Sequence, residues 1–532
     1  MKRKLFTIAS AASLVGLMFC AEAALAAKSG GVLKAYHRGT PPSGSIHEEA
    51  TNSTVSPYMG VFNNLIMYRQ DVAKESMDTI IPDLATSWSW NGDGTKLTFK
   101  LRQGVKWHDG KPFTSKDVKC TWDLVQGKGK AKLRKNPRKS WYKNLDSVTT
   151  NGDFEATFNL KRRQPAFPAL LAGGYSPVYP CHVSPKKMRT HPIGTGPFKF
   201  VSLKQNEHVK FTKNENYWKK ARPYLDGVEW TIIKSRATRV LAFIAGKFDM
   251  TFNVDVTVPL MKEVNSQAPD AICEMVTTNV STNLIVNQFK PPFDNALVRK
   301  AMVLAIDRKA FIDIISEGQN IQGGAMMPPP NGVWGMPPEF LKNVAGFNPD
   351  VEGNRAEARK IMEGLGYGPN NRLKIKVSTR NIAIYRDPAV ILIDHMKEIY
   401  MDAELDTVET SNWHAKVARK DYMVGLNLTG IGVDDPDAGL YENYSCGSQR
   451  NYTGYCKPEM EKLFEQQSMM TDQVARKKLV WEIDKKLQED AARPIIYHGL
   501  GATCFQPYVH GFVTHVNSVY NNWRLEDVWL DK

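Results

Sequence analysis

The sequence predicts an α/β fold whose sheets are covered by helices, and three observations carry that expectation. Leu97-Thr-Phe-Lys-Leu-Arg102 alternates apolar and polar residues with the period of a half-buried strand. Leu297, Val298, Ala301, Met302 and Ala305 form an apolar stripe at helical spacing. Strand-like and helical segments interleave along the chain with no internal repeat and no long linker, the pattern of layered sheets and helices. At 532 residues the chain exceeds one ordinary core and should divide into two or three domains.

Taken in order, the elements begin with an export signal. Met1-Lys2-Arg3-Lys4 is a short positive region, residues 5–19 are mostly apolar, and Ala24-Leu25-Ala26 places small residues before a cleavage site. The apolar run is shorter than the ~20 residues of a membrane-spanning helix, so cleavage after Ala26 is expected rather than an anchor. Cys20 follows Phe19, where a lipid-attachment site requires a small residue. Asn91-Gly-Asp-Gly94 is turn chemistry ahead of the alternating segment and predicts a hairpin. Thr114-Ser-Lys-Asp117 opens a helix through Trp122. Asn354 and Glu357 are spaced as a capping box for a helix that carries Ile361 and ends at Gly364 and Gly366. Asp387-Pro388 reads as an N-cap with Pro at the first helical position. Thr471 starts a last long helix with Val480, Ile483 and Leu487 on its apolar face, stopping before Pro494.

The chain is basic, +15 at pH 7. In an exported protein this points to anionic surfaces or to solubility rather than to nucleic acid. Every charged residue in the stretch 128–143 is Lys or Arg, with Trp141 and Tyr142 among them, and the stretch reads as a solvated surface loop. Catalytic signatures are missing: there is no GxSxG elbow, HExxH or EF-hand loop. Gly104-Val-Lys-Trp-His-Asp-Gly-Lys111 has one residue too many for a phosphate loop and Pro112 in place of the magnesium-holding hydroxyl, so it reads as a strand and turn. No cofactor and no metal are expected. Triads are assembled from distant positions, so an exported hydrolase stays as the alternative class. Cys446 and Cys456 flank a short polar stretch that can turn back on itself, and this pair is expected to be bonded. The pairing of Cys120, Cys181, Cys273 and Cys504 stays open.

Ile81-Pro-Asp-Leu-Ala-Thr-Ser-Trp88, the segment Leu97 to Arg102, Gly104-Val-Lys-Trp-His-Asp-Gly110 and Pro112-Phe-Thr-Ser-Lys-Asp-Val118 together resemble the signature of family 5 solute-binding proteins. These are the peptide, oligopeptide and nickel binders of ABC importers. Gly194-Thr-Gly-Pro-Phe198, Asn214-Glu-Asn-Tyr-Trp218 with Pro223-Tyr-Leu-Asp226, and Phe293-Asp-Asn-Ala-Leu-Val-Arg299 with Ala305-Ile-Asp-Arg308 follow in the family's order. Most of these residues are architectural. Trp88 and Phe99 read as core, Gly110 and Gly194 as turns, and Asp307-Arg308 as a pair on a helix.

The resemblance implies a two-lobed periplasmic binding protein of the cluster C type, with a hinged cleft and an extra inserted domain. The implied layout is a signal peptide at 1–26, lobe one at 27–75, 191–280 and 496–532, an inserted domain at 76–190, and lobe two at 281–495. It implies a monomer that binds a small solute, peptide or peptide-like first, and delivers it to an inner-membrane permease pair with two ATPase subunits, without catalysis or nucleic acid. In peptide-binding members an acidic residue four positions before a lobe-two Pro pairs with the peptide's amino group. Here Gly432 stands four before Pro436, and Thr429 replaces an expected aromatic. Asp434 or Asp435 is expected to supply the carboxylate from a shifted register, with capping of the next helix as the other role open to either. The expected ligand-binding residues are thus Thr429, Gly432, Asp434 and Asp435, and oligosaccharides or opines stay open as solutes.

Overall fold

A computed structural model describes residues 27–532, so the expected signal peptide lies outside the described residues. In lobe one, Val32–His37 runs parallel to Gly227–Ile232, and that strand continues antiparallel into His208–Lys213 and Phe198–Lys204. Between the first strand and the others the chain builds a separate antiparallel sheet, in the order Ala85–Trp90, Lys96–Leu101, Glu155–Leu160, Leu145–Thr150. Its first two strands are the predicted hairpin, closed by the Asn91 side chain accepting from Thr95 N–H. Helix Ser115–Gln126 packs on this sheet, opened by a reciprocal capping box between Thr114 and Asp117.

Lobe two holds a five-stranded sheet in the order Met401–Val408, Leu373–Arg380, Val424–Gly430, Ile272–Val286, Ile495–Phe505. The first three strands are parallel, and parallel neighbours need crossovers. Helices Ala383–Lys397 and Thr410–Ala418 supply them. The two long strands link the lobes. They pair antiparallel from Ile272 opposite Phe505 to Asn283 opposite Ile495, with the register broken between Thr277 and Ser281. On one side of the break, Phe505 bridges to Met250 and Ala502 to Val256 in lobe one. On the other, residues 280–286 pair with Val424–Gly430. A break in the ladder bends a ribbon, and this one sits where the chain crosses between lobes.

The predicted stripe becomes helix Ala296–Ala305, and all of it but the exposed Leu297 packs in a lobe-two core with Leu284, Val377 and Leu426. A larger apolar cluster runs from lobe one and the inserted sheet into Ile431, Val433 and Leu440 of lobe two. Apolar contact is therefore continuous across the cleft, and the lobes are closed on each other.

Several local expectations need correction. Asn354 does not cap its helix, because the chain turns earlier and Asp350 accepts from Gly353 N–H at 2.9 Å to start the helix at Val351. Pro388 lies inside helix Ala383–Lys397, which starts as soon as the strand ends at Arg380 and so brings Ile384 and Tyr385 to the cleft. The last helix is capped by Asp472 rather than Thr471. Asp307 and Arg308 do not pair: Asp307 caps the helix, while Arg308 is buried and donates to the Ile495 and Gly346 carbonyls.

Candidate functional site

The ends of strands from both lobes meet at the cleft, where open α/β sheets hold their ligands. Leu373–Arg380 shows how the sequence arranges this. Burial alternates at its start and becomes continuous over its last residues, so the strand drives a buried arginine, Arg380, to the sheet's edge. Arg38 follows directly on the lobe-one strand. Between them lies a chamber of about 60 Å3, lined by Arg38, Asn52 and Tyr520 from lobe one and by Arg380, Tyr385 and Asn427 from lobe two. Val254 also lines it at φ +45°, a backbone conformation rare for a β-branched residue and of the kind concentrated at ligand sites. Ala50, His414 and Arg450 connect this chamber to an outer one of about 580 Å3, which reaches Arg134 and Lys135 of the inserted domain and the loop 447–456.

The charged lining of the inner chamber is all basic, while Glu48 and Glu49 also line the outer one. Arg380 donates to the Tyr385 hydroxyl at 2.6 Å and to Thr410 Oγ1 at 3.0 Å. Burial holds it below the usual arginine range, and the charge of Arg38 from the opposite lobe lowers it further. Arg38 Nε is buried without a partner, and the guanidinium lies 4.9 Å from the centre of the Phe252 ring. Arg138 and Arg450 share the Glu442 carboxylate at 3.2 and 3.0 Å. Burial, with Arg380 and Arg450 next in effect, keeps His414 well below the usual histidine value, so its ring is neutral.

The residues expected to bind ligand line neither chamber. Asp435 takes the capping role: its Oδ1 accepts from Asp437 N–H at 2.9 Å, and its two oxygens hold Arg476 at 2.8 and 2.9 Å. Asp434 accepts from Asn279 and Asn517 at 3.2 and 3.3 Å. The Thr429 hydroxyl is engaged by Asn427 and Asn283. The Gly432 carbonyl accepts from Asn521 at 3.0 Å, and a Cβ on Gly432 would stand 2.7 Å from the Trp141 ring. Small residues and a capped helix let this loop pack against lobe one and the inserted domain.

The description "Bacterial extracellular solute-binding proteins, family 5 Middle" matches residues 79–451, well over half of the chain. The chain belongs to this family. It is 25% identical to the oligopeptide-binding protein AppA of Bacillus subtilis (strain 168), over 82% of this chain and 81% of AppA. A similar solved structure is the periplasmic binding protein DppA from Helicobacter pylori in complex with peptide STSA, at TM-score 0.82 and 21% identity over 95% of this chain and 99% of that one. Another is AgaA from A. tumefaciens R10 in complex with agropinic acid, at TM-score 0.82 and 21% identity over 94% and 99%. At these identities the structural likeness carries the two-lobed fold.

In this family 5 protein the basic stretch 128–143 is solvated over its first part, as expected, with Lys128, Lys130 and Lys132 exposed, and departs from a surface loop in its second part. Arg138, Trp141 and Tyr142 are buried. Trp141 Nε1 donates to the Ala438 carbonyl at 3.1 Å, and Lys143 pairs with Glu461 at 2.6 Å. Arg134 pairs with Glu49, and the Glu442 carboxylate takes up the charge of Arg138, which makes burial of that arginine tolerable. Sequence reasoning missed Arg38, Arg380, His414 and Arg450. Among the described residues no helix is long and apolar enough to cross a membrane.

Proposed function

We propose that this family 5 chain is the solute-binding component of an ABC importer. It closes its lobes on one small, peptide-like solute and hands it to an inner-membrane permease pair driven by two ATPase subunits. The observation that carries this reading is the chamber built from both lobes, with Arg38 and Tyr520 on one side and Arg380 and Asn427 on the other. A site divided in this way lets ligand contacts favour the closed form, by the difference in affinity between open and closed states. The oligopeptide-binding relative and the STSA-bound structure favour a peptide-like solute, and the agropinic acid complex keeps non-peptide solutes in view. Residues 27–75, 191–280 and 496–532 are taken as lobe one, 76–190 as the inserted domain and 281–495 as lobe two; the separate sheets of strands Val32–His37 to Phe198–Lys204 and Ala85–Trp90 to Leu145–Thr150 support this division, while strand Ile495–Phe505 pairs into the lobe-two sheet as the crossing segment. The protein works in the periplasm as a monomer, exported with cleavage after Ala26, and binds without turnover.

Native mass spectrometry of gently purified exported protein tests the proposal. The expected spectrum shows a single chain beginning at Ala27 with one small molecule that exchanges against added solute. Product accumulating beyond one equivalent per chain, or no binding across a panel of peptides and opines, would overturn it.

A further inference from the structure

The charged side chains that line the inner chamber from opposite lobes have one sign. Arg38 comes from lobe one and Arg380 from lobe two, and no Asp or Glu stands among the residues lining their chamber. Arg380 gives its donors to two neutral hydroxyls, and Arg38 keeps a buried Nε with no partner. At the chamber's outer end Arg450 shares the Glu442 carboxylate with Arg138 and donates to the Ala50 carbonyl at 2.7 Å. His414, beside it, presents a buried Nε2 with no partner.

Closure removes water from between these groups, and weaker screening strengthens the repulsion between Arg38 and Arg380. An anion placed between them reverses the sign, because each planar guanidinium can then make a charge-assisted, two-pronged contact. The same geometry offers nothing to a cation. Asp255, near enough to Arg38 to feel its charge, is held by Arg239 at 2.6 and 2.8 Å, Asp435 by Arg476, Asp434 by Asn279 and Asn517, and Glu442 by two arginines. An ammonium group entering the chamber would meet positive charge and no available carboxylate.

We infer that the solute carries at least two oxyanion groups, carboxylate or phosphate, and brings no free ammonium into the inner chamber. One oxyanion sits between Arg38 and Arg380, and the second faces the end where Arg450 and Arg138 share Glu442. The volumes fit this division: the inner chamber of about 60 Å3 takes an acidic head, and the connected outer chamber of about 580 Å3 takes the rest. The inference rests on the cleft being the solute site proposed above.

The test is calorimetric titration of the mature full-length protein, freed of co-purified solute, with three kinds of probe. Propane-1,2,3-tricarboxylate and N-acetyl-Asp-Glu represent polycarboxylates, 3-phosphoglycerate represents a phosphate-bearing acid, and tri-alanine is the free-amine control. At least one acidic probe should bind about tenfold or more tightly than tri-alanine, and which of them does so identifies the oxyanion. Arg380→Gln and Arg38→Gln should each weaken that probe about tenfold or more. Arg38→Gln guards against misfolding, since this side chain donates no hydrogen bond among the described residues. Tri-alanine binding more tightly than every acidic probe, or acidic binding untouched by Arg38→Gln, overturns the inference and leaves the cleft as a solute site. If no probe binds, the co-purified solute decides. A solute with two acidic groups upholds the inference, one without them overturns it, and a protein that carries and binds nothing overturns the solute-binding reading as well.

Discussion

Tyr520 stands over Gly430 so closely that a Cβ on Gly430 would lie 1.8 Å from the Tyr520 hydroxyl. Gly430 ends a lobe-two strand, and Tyr520 belongs to the C-terminal segment packed on lobe one, where Trp523 meets Trp230. The contact exists only while the lobes are closed. Tyr520 is buried with its ring 5.2 Å from that of Tyr175, which restrains it from swinging aside. Gly430→Ala should therefore penalise the closed form alone. Ligand affinity should fall about tenfold or more, roughly 1.4 kcal/mol at least, with the melting temperature of the unliganded protein nearly unchanged. Calorimetric titration and differential scanning check this, and an unaltered affinity would show that the tyrosine yields.

Glu75 of lobe one and Asp434 of lobe two form a buried carboxylate pair at the same junction. Asn521 donates to Glu75 at 2.6 Å, while Asn279 and Asn517 serve Asp434. Burial, first, and their proximity raise Glu75 to about 8, and burial raises Asp434 to about 6. His515, 3.8 Å from Glu75, is itself lowered by burial to about 4 and supplies no charge above that pH. Both carboxyl groups hold protons in the folded chain that the unfolded chain releases. Their effect is neutral below about pH 4 and grows unfavourable as pH rises toward about 8. Stability should fall over that window, by several kcal/mol on the order of the summed shifts. Glu75→Gln should flatten the fall, raising the melting temperature at pH 8 and leaving it unchanged at pH 4. A parallel pH profile for variant and wild type would refute the assignment.

How much of this was legible in the sequence depends on the range of the interactions. The hairpin at Asn91, the Thr114–Asp117 capping box and the stripe of helix Ala296–Ala305 are set by neighbours within a few residues, and all are present in the structure. Helix starts at Asp350 and Ala383 were misread because several capping residues compete there and the tertiary turn selects one. The chamber was illegible for a different reason. Arg38, Arg380 and Arg450 come from three distant parts of the chain, and nothing local distinguishes them from surface arginines. The packing of Arg138, Trp141 and Tyr142 within an otherwise solvated basic stretch was illegible because their partners, Glu442 and Ala438 among them, lie far away in sequence.

Asp435 offers a sharp separation of stability from binding. Its carboxylate closes a buried two-pronged contact with Arg476, which also reaches Asp437 at 3.5 Å. Asp435→Asn keeps a capping acceptor for Asp437 N–H but leaves Arg476 short of a full counter-charge. Breaking a buried pair in this way costs about 3–5 kcal/mol, so the unfolding free energy should drop by an amount in that range. Solute affinity, measured below the new melting point, should stay within about twofold. A large loss of affinity with intact stability would return Asp435 to the ligand.

Cys446 and Cys456 are bonded, and the loop they close carries Arg450 to the junction of the two chambers. The loop spans a sequence separation of 10. In the chain-entropy view a cross-link of that span disfavours the unfolded chain by about 2–3 kcal/mol. The same closure restricts where Arg450 can stand, so it should act on binding as well as on folding. The paired variant Cys446→Ser with Cys456→Ser is expected to unfold with about 2–3 kcal/mol less free energy and to bind the solute more weakly. Chemical denaturation measures the first effect and calorimetric titration the second. Non-reducing peptide mapping of exported protein should recover these two cysteines on one cross-linked fragment. Recovering both as free thiols would remove the basis for either effect.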